Sequence, residues 1–518
     1  MNAPHLPLAK LRKLLIPAGV GLALLGQLSS AKAARYYVDA QAGSDSNDGQ
    51  SAAAAWRSLE RVDAANFQPG DEILFKAGSS WTGRLSPHGS GVAGRPIRVG
   101  RYGFGGRPRI DGGGLVGTAV VYLQNLQYWE IADLEITNPA KEPGDRRGVL
   151  VAAAQPGVWR HIWLLRLDIH DIKGIVGQGL DAKRTAGIGI EATGPEASRF
   201  DDVRIEGCSI HSVDNTGLYT SAAGRGYPGT EGWLKRCFTQ VLIRGNVIHH
   251  IAKNAMIVRF MEGGIVERNL CSETALKLTG NTMFTASCDG TVFQYNEGCF
   301  NRSPDYDGSM YDADLESPNT IWQYSYSHDN AHGLFWTCTV QRDANVVCRY
   351  NVSRNDRGNI FCINYPNSSV YCYNNTVYCG PETSPTIISE RHRGGPGPRT
   401  YYFYNNVIFN ESARAKYDLR SGDYNRVIDH NIFFGLHPLG EPEDAHKLTS
   451  DPLFVDLSVP PGFPGRGLNA VLGLRLRSAS PCIGSALALS GDGGLDYTGK
   501  PLPPGGRRDR GAFFYQGQ

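Results

Sequence analysis

The phrases IRGNVI (243–248), VERNLC (266–271), FQYNEG (293–298), CRYNVS (348–353), CYNNTV (372–377), FYNNVI (403–408) and IDHNIF (428–433) place an apolar residue, then an asparagine three positions on, then an apolar or small residue two further. The asparagine column is Asn246, Asn269, Asn296, Asn351, Asn375, Asn406 and Asn431, with Ser325 standing in for it once. It is preceded by Leu134, Leu167 and Cys208 at the same place. From Asn246 onward the spacing is 23, 27, 29, 26, 24, 31 and 25 residues. A fixed phrase with a variable period describes the coils of a solenoid whose loops absorb the differences in length. The strands are short, rich in β-branched and aromatic residues and broken by Gly, Asn and Asp. No helical periodicity runs through this stretch. The expectation is an all-β, right-handed, single-stranded parallel β-helix of roughly ten or more coils, with an asparagine ladder inside one bend. A propeller would repeat at longer intervals of about 40–50 residues.

A second strand recurs in the same coils: GLYTS (217–221), AMIVR (255–259), TMFTA (282–286), MYDAD (310–314), GLFWT (333–337) and NIFCI (359–363). Strand side chains alternate between faces. With Leu218, Met256, Met283, Tyr311, Leu334 and Ile360 taken as inward, the outward row is Tyr219, Ile257, Phe284, Asp312, Phe335 and Phe361. Ser221, Arg259, Ala286, Asp314 and Thr337 form the row beside it. Aromatics flanking two carboxylates on one outer face are unusual for a solvated sheet.

Asp312 and Asp314 stand two apart on one strand, so their Cα atoms are about 6.6–6.8 Å apart with both side chains on one face. Paired carboxylates at that scale suit glycoside hydrolysis, one protonating the leaving oxygen while the other attacks carbon or activates water. The order of roles and the stereochemical outcome stay open at this stage. Glu316 continues the row if the strand continues. Arg259, about two coils away, is a candidate for holding a substrate hydroxyl or carboxylate. Tyr219, Phe284 and Phe335 are candidates for contact with the sugar. His170, His211, His249 and His328 recur three residues past the ladder position, and His249 and His328 are expected to act as acid, base or orienting group. Asp289, Asp305 and Asp307 offer oxygen ligands that would permit Ca2+, without the spacing of a known calcium loop. The hydrolytic reading itself requires no cofactor.

The chain has 518 residues, 52 Lys+Arg against 50 Asp+Glu, and 41% hydrophobic residues. That balance gives no basic patch for a nucleic-acid partner. Residues 1–33 read as a signal peptide: Lys10, Arg12 and Lys13, an apolar run from Leu14 to Leu28, and Ala31-Lys32-Ala33 before the cut. The expectation is therefore a secreted or periplasmic monomer with no membrane attachment after cleavage. The eleven cysteines contain no CxxC pair and no zinc spacing. Cys348 and Cys372 fall at one place in adjacent coils, where they either pair or stack as core.

YYVDAQAGSDSNDG (36–49), FQPGDEILFKAGSSW (67–81) and RPRIDGGG (107–114) near the start, with SDPLFVD (450–456), SASPCIG (478–484) and RRDRGAFFY (507–515) near the end, resemble the secreted parallel β-helix proteins of the pectate-lyase-like superfamily. The resemblance covers nearly the whole chain after residue 33 and implies a polysaccharide or oligosaccharide as partner. YDADLESPNTIWQYSYSHDN (311–330) resembles a phrase of members that are glycoside hydrolases. Ser325 departs from the ladder at that coil, and no catalytic phrase of polygalacturonases or calcium pectate lyases is matched. On this basis residues 34–115 form an N-terminal cap with the first strands, 116–449 the β-helix core with its groove, and 450–518 a closing segment. The expected activity is glycoside hydrolysis by the two aspartates. The alternatives on the same fold are a calcium-dependent lyase or uronate epimerase with Lys277 or a histidine as base, and a non-catalytic glycan-binding protein.

Overall fold

The computed structural model describes residues 33–517 apart from 225–226, 306, 339–344, 365–368, 392–398, 421–423, 459, 461–463, 465–470, 503–505 and 516. Residues 1–32 of the expected signal peptide, which spans 1–33, lie outside the described residues. The chain winds as a right-handed parallel β-helix whose coils contribute to three long sheets of 15, 13 and 11 strands. Nearly every coil supplies one strand to each sheet, as in Val346–Arg349, Val352–Arg354 and Asn359–Asn364. The first sheet starts at Arg35–Val38, so segment 34–115 supplies the first coils, with the short helix Leu59–Asp63 among them.

Alternation sends Ile205, Ile243, Val266, Phe293, Trp322, Cys348, Cys372 and Phe403 into one continuous core. Inside it Phe293 stacks on Trp322 at 3.9 Å and Phe361 meets Phe403 edge-on at 5.1 Å. Cys348 and Cys372 are facing residues in adjacent strands, and all eleven cysteines are free thiols.

The asparagines make the expected ladder. The backbone N–H of Asn246 donates to Asn269 Oδ1 at 3.0 Å, and Asn246 Nδ2 donates both to Asn269 Oδ1 and, at 2.9 Å, to the carbonyl of Ile205 in the coil before. Asn269, Asn351, Asn375 and Asn406 repeat this pattern, and the column ends where Asn431 donates to Asp444 Oδ2 at 2.8 and 2.9 Å. The bend needs these bonds because the residue before the ladder position is left-handed in coil after coil: Gly245, Arg268, Tyr295, Tyr324, Tyr350, Asn374 and Asn405. A non-glycine residue there costs about 1–2 kcal/mol. The side-chain amides satisfy the backbone groups that the corner takes out of the sheet ladders. At Ser325 the hydroxyl keeps the backbone rung, accepting from Asn296 N at 3.0 Å and donating to Gln323 O at 2.9 Å.

A second left-handed corner follows the second sheet, at Asp171, Ser212, His250, Glu273, Phe300, Asp329 and Asn355. The closing segment lies along the outside of the later coils. Leu489 and Leu502 pack on Tyr324, Tyr350, Tyr373 and Tyr404, Asn374 Nδ2 donates to Asp509 O and Gly511 O, and Arg510 Nη1 donates to Asn431 O at 2.9 Å. Among the described residues no helix is long and apolar enough to cross a membrane.

Asn375→Ala orphans the Asn351 N–H and the Cys348 carbonyl. At about 1–3 kcal/mol per buried unsatisfied group, the two orphans should cost about 2–6 kcal/mol. Ser325→Ala, which orphans one backbone donor, should cost less, and denaturant midpoints of the two variants check that order.

Candidate functional site

The outer face of the third sheet carries the chemistry. Its register runs Gly189, Tyr219, Ile257, Phe284, Asp312, Trp336, Cys362 across successive coils. The expected inward set is right through Tyr311 and then slips by one. Phe335 pairs with Tyr311 and Phe361 with Phe335, so both phenylalanines are core, and Trp336 is the outward neighbour of Asp312. The reason is local: Leu334-Phe335-Trp336 are all apolar, so alternation alone cannot tell which faces inward.

The face is covered rather than open. Tyr219, Phe284, Asp312 and Trp336 each expose only 4% of their surface. Segment 173–185, with the helical turn Leu180–Lys183, supplies part of the cover. A narrow cleft of about 60 Å³ between Leu180, Lys183, Tyr219, Ile257 and Arg259 opens there. A wider cleft, about 520 Å³, is lined by Arg268, Tyr295, Tyr324 and Tyr497 where the closing segment crosses the coils. Neither cleft is lined by Asp312 or Asp314, but the smaller one is lined by Lys183 and Arg259, whose charges act on Asp314.

Asp312 and Asp314 point to the same side, and an oxygen of each, with Cys338 Sγ, lies within a 4.8 Å group. Asn281 Nδ2 donates to Asp312 Oδ2 at 2.7 Å and to Asp307 Oδ1 at 2.7 Å, so one amide ties two carboxylates together. Asn281 is held in turn by Ser309 N on its Oδ1 and by Asn254 Nδ2 on its carbonyl. Asp312 Oδ1 is buried and has no hydrogen-bond partner among the described residues. Burial, then the charges of Asp314 and Asp307, push the Asp312 carboxyl well above its ordinary range. Asp314 is also raised by burial, but the Leu315 N–H and the Lys183 and Arg259 cations oppose the shift. The pair is thereby split into a protonated and a more readily ionised member.

Lys183 and Arg259 lie over the Phe284 ring at 5.2 and 5.9 Å. Burial lowers both cations' affinity for the proton, against the pull of Asp314. Arg259 is therefore in the site, whereas Phe284 is a platform for the cations. Lys253, brought down to about 8 by burial, donates to Gln178 Oε1 and to Thr279 O near Asp305 and Asp307. His332, brought down to about 4 by burial, is neutral at physiological pH, with Asp305 and Arg391 as its charged neighbours. Gly308 and Gly358 leave it space, since a Cβ on either would stand 2.9 or 2.4 Å from its ring.

Several expected residues fall elsewhere. His249 and His328 lie on the second sheet, because the ladder phrase ends there before the chain turns to the third. Burial opposes the charge on His328, but Asp329, Cys299 and Glu297 overcome it and push it up to about 11, which describes an ion-paired core residue. The strand ends at Ala313, so Glu316 does not continue the row. It sits in a left-handed bend and accepts from Ser287 Oγ at 3.3 Å. Tyr219 is tied down, its hydroxyl donating to Glu191 and accepting from Arg147 Nε at 3.1 Å. Asp289 accepts from Asn319 at 2.7 Å, and neither Asp289 nor Asp307 belongs to a tight three-ligand cluster among the described residues. Lys277 is paired with Asp214 at 2.6 Å, away from the aspartates.

Sequence reading missed Asn281, Lys183, Lys253, His332, Trp336 and Cys338. Asn281 had a readable signal, since Asn254 and Asn281 both stand two residues before an inward Met. Lys183 had none, because it lies in a long insertion outside the repeat.

No family model matches the chain. It is 25% identical over 515 residues to the lacto-N-biosidase of Bifidobacterium longum subsp. longum, the match covering 80% of this chain and 31% of that protein. The chain thus spans about a third of the length of that curated relative. The crystal structures of a GH136 lacto-N-biosidase from Eubacterium ramulus, as selenomethionine and native protein, superpose with TM-scores of 0.60 and 0.59 at 21% identity, over 77% of this chain and 67% of theirs. That likeness shows the same fold.

A carboxyl whose proton affinity is raised on folding stabilises the fold while it stays protonated, and that contribution is lost as pH rises through the raised value. Asp312→Asn cannot ionise. Its unfolding midpoint should therefore exceed that of the unsubstituted chain at pH 8 and the gap should shrink towards pH 4, as thermal melts across that range will show.

Proposed function

We propose that the chain is a glycoside hydrolase acting on an oligosaccharide, exported after cleavage behind Ala33, with Asp312 as proton donor and Asp314 as the attacking carboxylate. The observation that carries this is the split pair: Asp312 holds its proton under burial and carries an unpartnered oxygen, while Asp314 has cations and a backbone N–H to support its charge. The sequence likeness to a lacto-N-biosidase supports the reaction class and suggests the first substrates to try.

Asp314 attacks the anomeric carbon as the bond to the leaving oxygen breaks, and Asp312 transfers its proton to that oxygen. Water then displaces Asp314 from the sugar, and the Asp312 carboxylate takes the proton from that water. Carboxylates about 5 Å apart suit this double displacement, and those at about 6.5–9.5 Å leave room for a water and invert. One oxygen of Asp312 lies within 4.8 Å of one of Asp314, which is compatible with the former. Arg259 and Lys183 stand beside Asp314 and supply positive charge, and a cover that excludes water strengthens it.

Asp312→Asn and Asp314→Asn should each lower kcat by about 100- to 10,000-fold on an aryl lacto-N-bioside or on whichever oligosaccharide of a panel is turned over. Proton NMR of the first product should show the anomer of the substrate. Full activity in both variants would remove the assignment, and a product absorbing near 235 nm would replace hydrolysis with elimination.

Asp307→Asn removes a negative neighbour of Asp312. That lowers the Asp312 proton affinity and should move the alkaline limb of the kcat profile to lower pH. Loss of turnover at every pH would instead make Asp307 the proton donor.

A further inference from the structure

On the outer face of the second sheet His170, His211 and His249 stack over three successive coils, with ring centroids 5.0 and 4.9 Å apart and rings 4° from parallel. The next residue in each coil is the left-handed corner, and this has a chemical consequence. Neighbouring side chains on a strand point to opposite faces, but a left-handed second residue turns its side chain back beside the first. His170 thus meets Asp171 at 2.7 Å, His211 meets Ser212 at 3.3 Å, and His328 meets Asp329 at 2.9 Å.

In the coil of His249 the corner residue is His250, with φ at 53°, and the following coil puts Glu273 at its corner, with φ at 50°. His249 Nδ1 and His250 Nδ1 stand 2.7 Å apart, and Glu273 Oε2 is 3.1 Å from His250 Nδ1. Two imidazole nitrogens this close repel through their lone pairs unless a proton or a cation lies between them. His250 and Glu273 leave 52% and 39% of their side chains open to solvent, so an ion can enter.

We propose that His249, His250 and Glu273 form a surface site for a divalent transition metal, Zn2+ fitting best, which clips two successive coils on a face remote from the aspartates. Two imidazoles, one carboxylate and a water make a four-ligand set suited to Zn2+, and to Ni2+ or Cu2+, whereas Ca2+ takes six to eight oxygens. Tetrahedral Zn–N bonds of about 2.0–2.1 Å need the nitrogens about 3.3 Å apart, so a small opening of the exposed His250 ring completes the geometry.

The other exposed histidine cluster is built differently. His430 and His446 stack at 4.4 Å, and each directs Nδ1 at the shared Asp429, at 3.0 and 2.8 Å, so their Nδ1 atoms face the carboxylate and not one another.

The test is calorimetric titration of the tag-free, EDTA-stripped full protein with ZnCl2, together with metal analysis after dialysis. One equivalent should bind, and a thermal melt should rise with added Zn2+. His250→Asn keeps a residue that tolerates the left-handed corner. It and Glu273→Gln should each weaken binding at least tenfold without changing the metal-free circular dichroism or glycoside turnover. A His430→Ala/His446→Ala double variant should bind as the unsubstituted chain does. Absence of saturable binding, unchanged affinity in His250→Asn, or loss of the bound equivalent in the His430/His446 variant would each overturn the proposal.

Discussion

The structure depends on keeping successive coils in register at a corner where the backbone alone cannot do so. Each coil passes from the first to the second sheet through a left-handed residue, and the corner removes peptide groups from the sheet ladders. The asparagine column closes that gap with two donors and one shared acceptor per coil, from Asn246 to the Asp444 carboxylate. A slip of one residue within a coil would bury unpaired amides, so the ladder fixes the register of each strand on the next. This in turn fixes which side chains share the outer face of the third sheet. The proposed catalytic grouping is a product of that register: Asn281 from one coil meets Asp307, Asp312 and Asp314 of the next because the coils stack without slipping.

On that face burial decides the electrostatics. Asp312 is buried and Asp307 and Asp314 are partly covered, so water shares little of the cost of charging Asp312. Asp312 keeps its proton, while Lys183 and Arg259 lie against Asp314 at the expense of their own solvation. The arrangement is unfavourable for folding and suits the proton transfer proposed for it. Elsewhere burial produces plain structure: on the second sheet a buried His328 pairs with Glu297 and Asp329, and Tyr219 is fixed between Glu191 and Arg147.

Most of the fold was legible in the sequence, because the repeat phrase reports on an interaction made once per coil. The ladder positions, the inward apolar column and the pairing of Met256, Met283 and Tyr311 all follow from it. The reading failed where that interaction is silent. The run Leu334-Phe335-Trp336 has no alternation, so Phe335 was placed outside when it belongs to the core. The histidine column was visible as a column, but its sheet was not, because a phrase gives position within a coil and says nothing of which face a loop reaches. Lys183, Lys253 and His332 reach the aspartates from insertions or coil ends whose lengths vary, and no periodic signal marks them. Asp312 on the strand and Asp314 just past its end were found because they are charged amid apolar strand neighbours, which is a local contrast that needs no structure to see.

The most direct test of the central claim is to trap the enzyme with a fluorinated glycosyl fluoride of the sugar it turns over and to read the adduct by peptide mass spectrometry. Two close carboxylates, one protonated and one supported by cations, predict a covalent sugar on Asp314. An adduct on another carboxylate, or turnover with no adduct under any quench, would contradict the account.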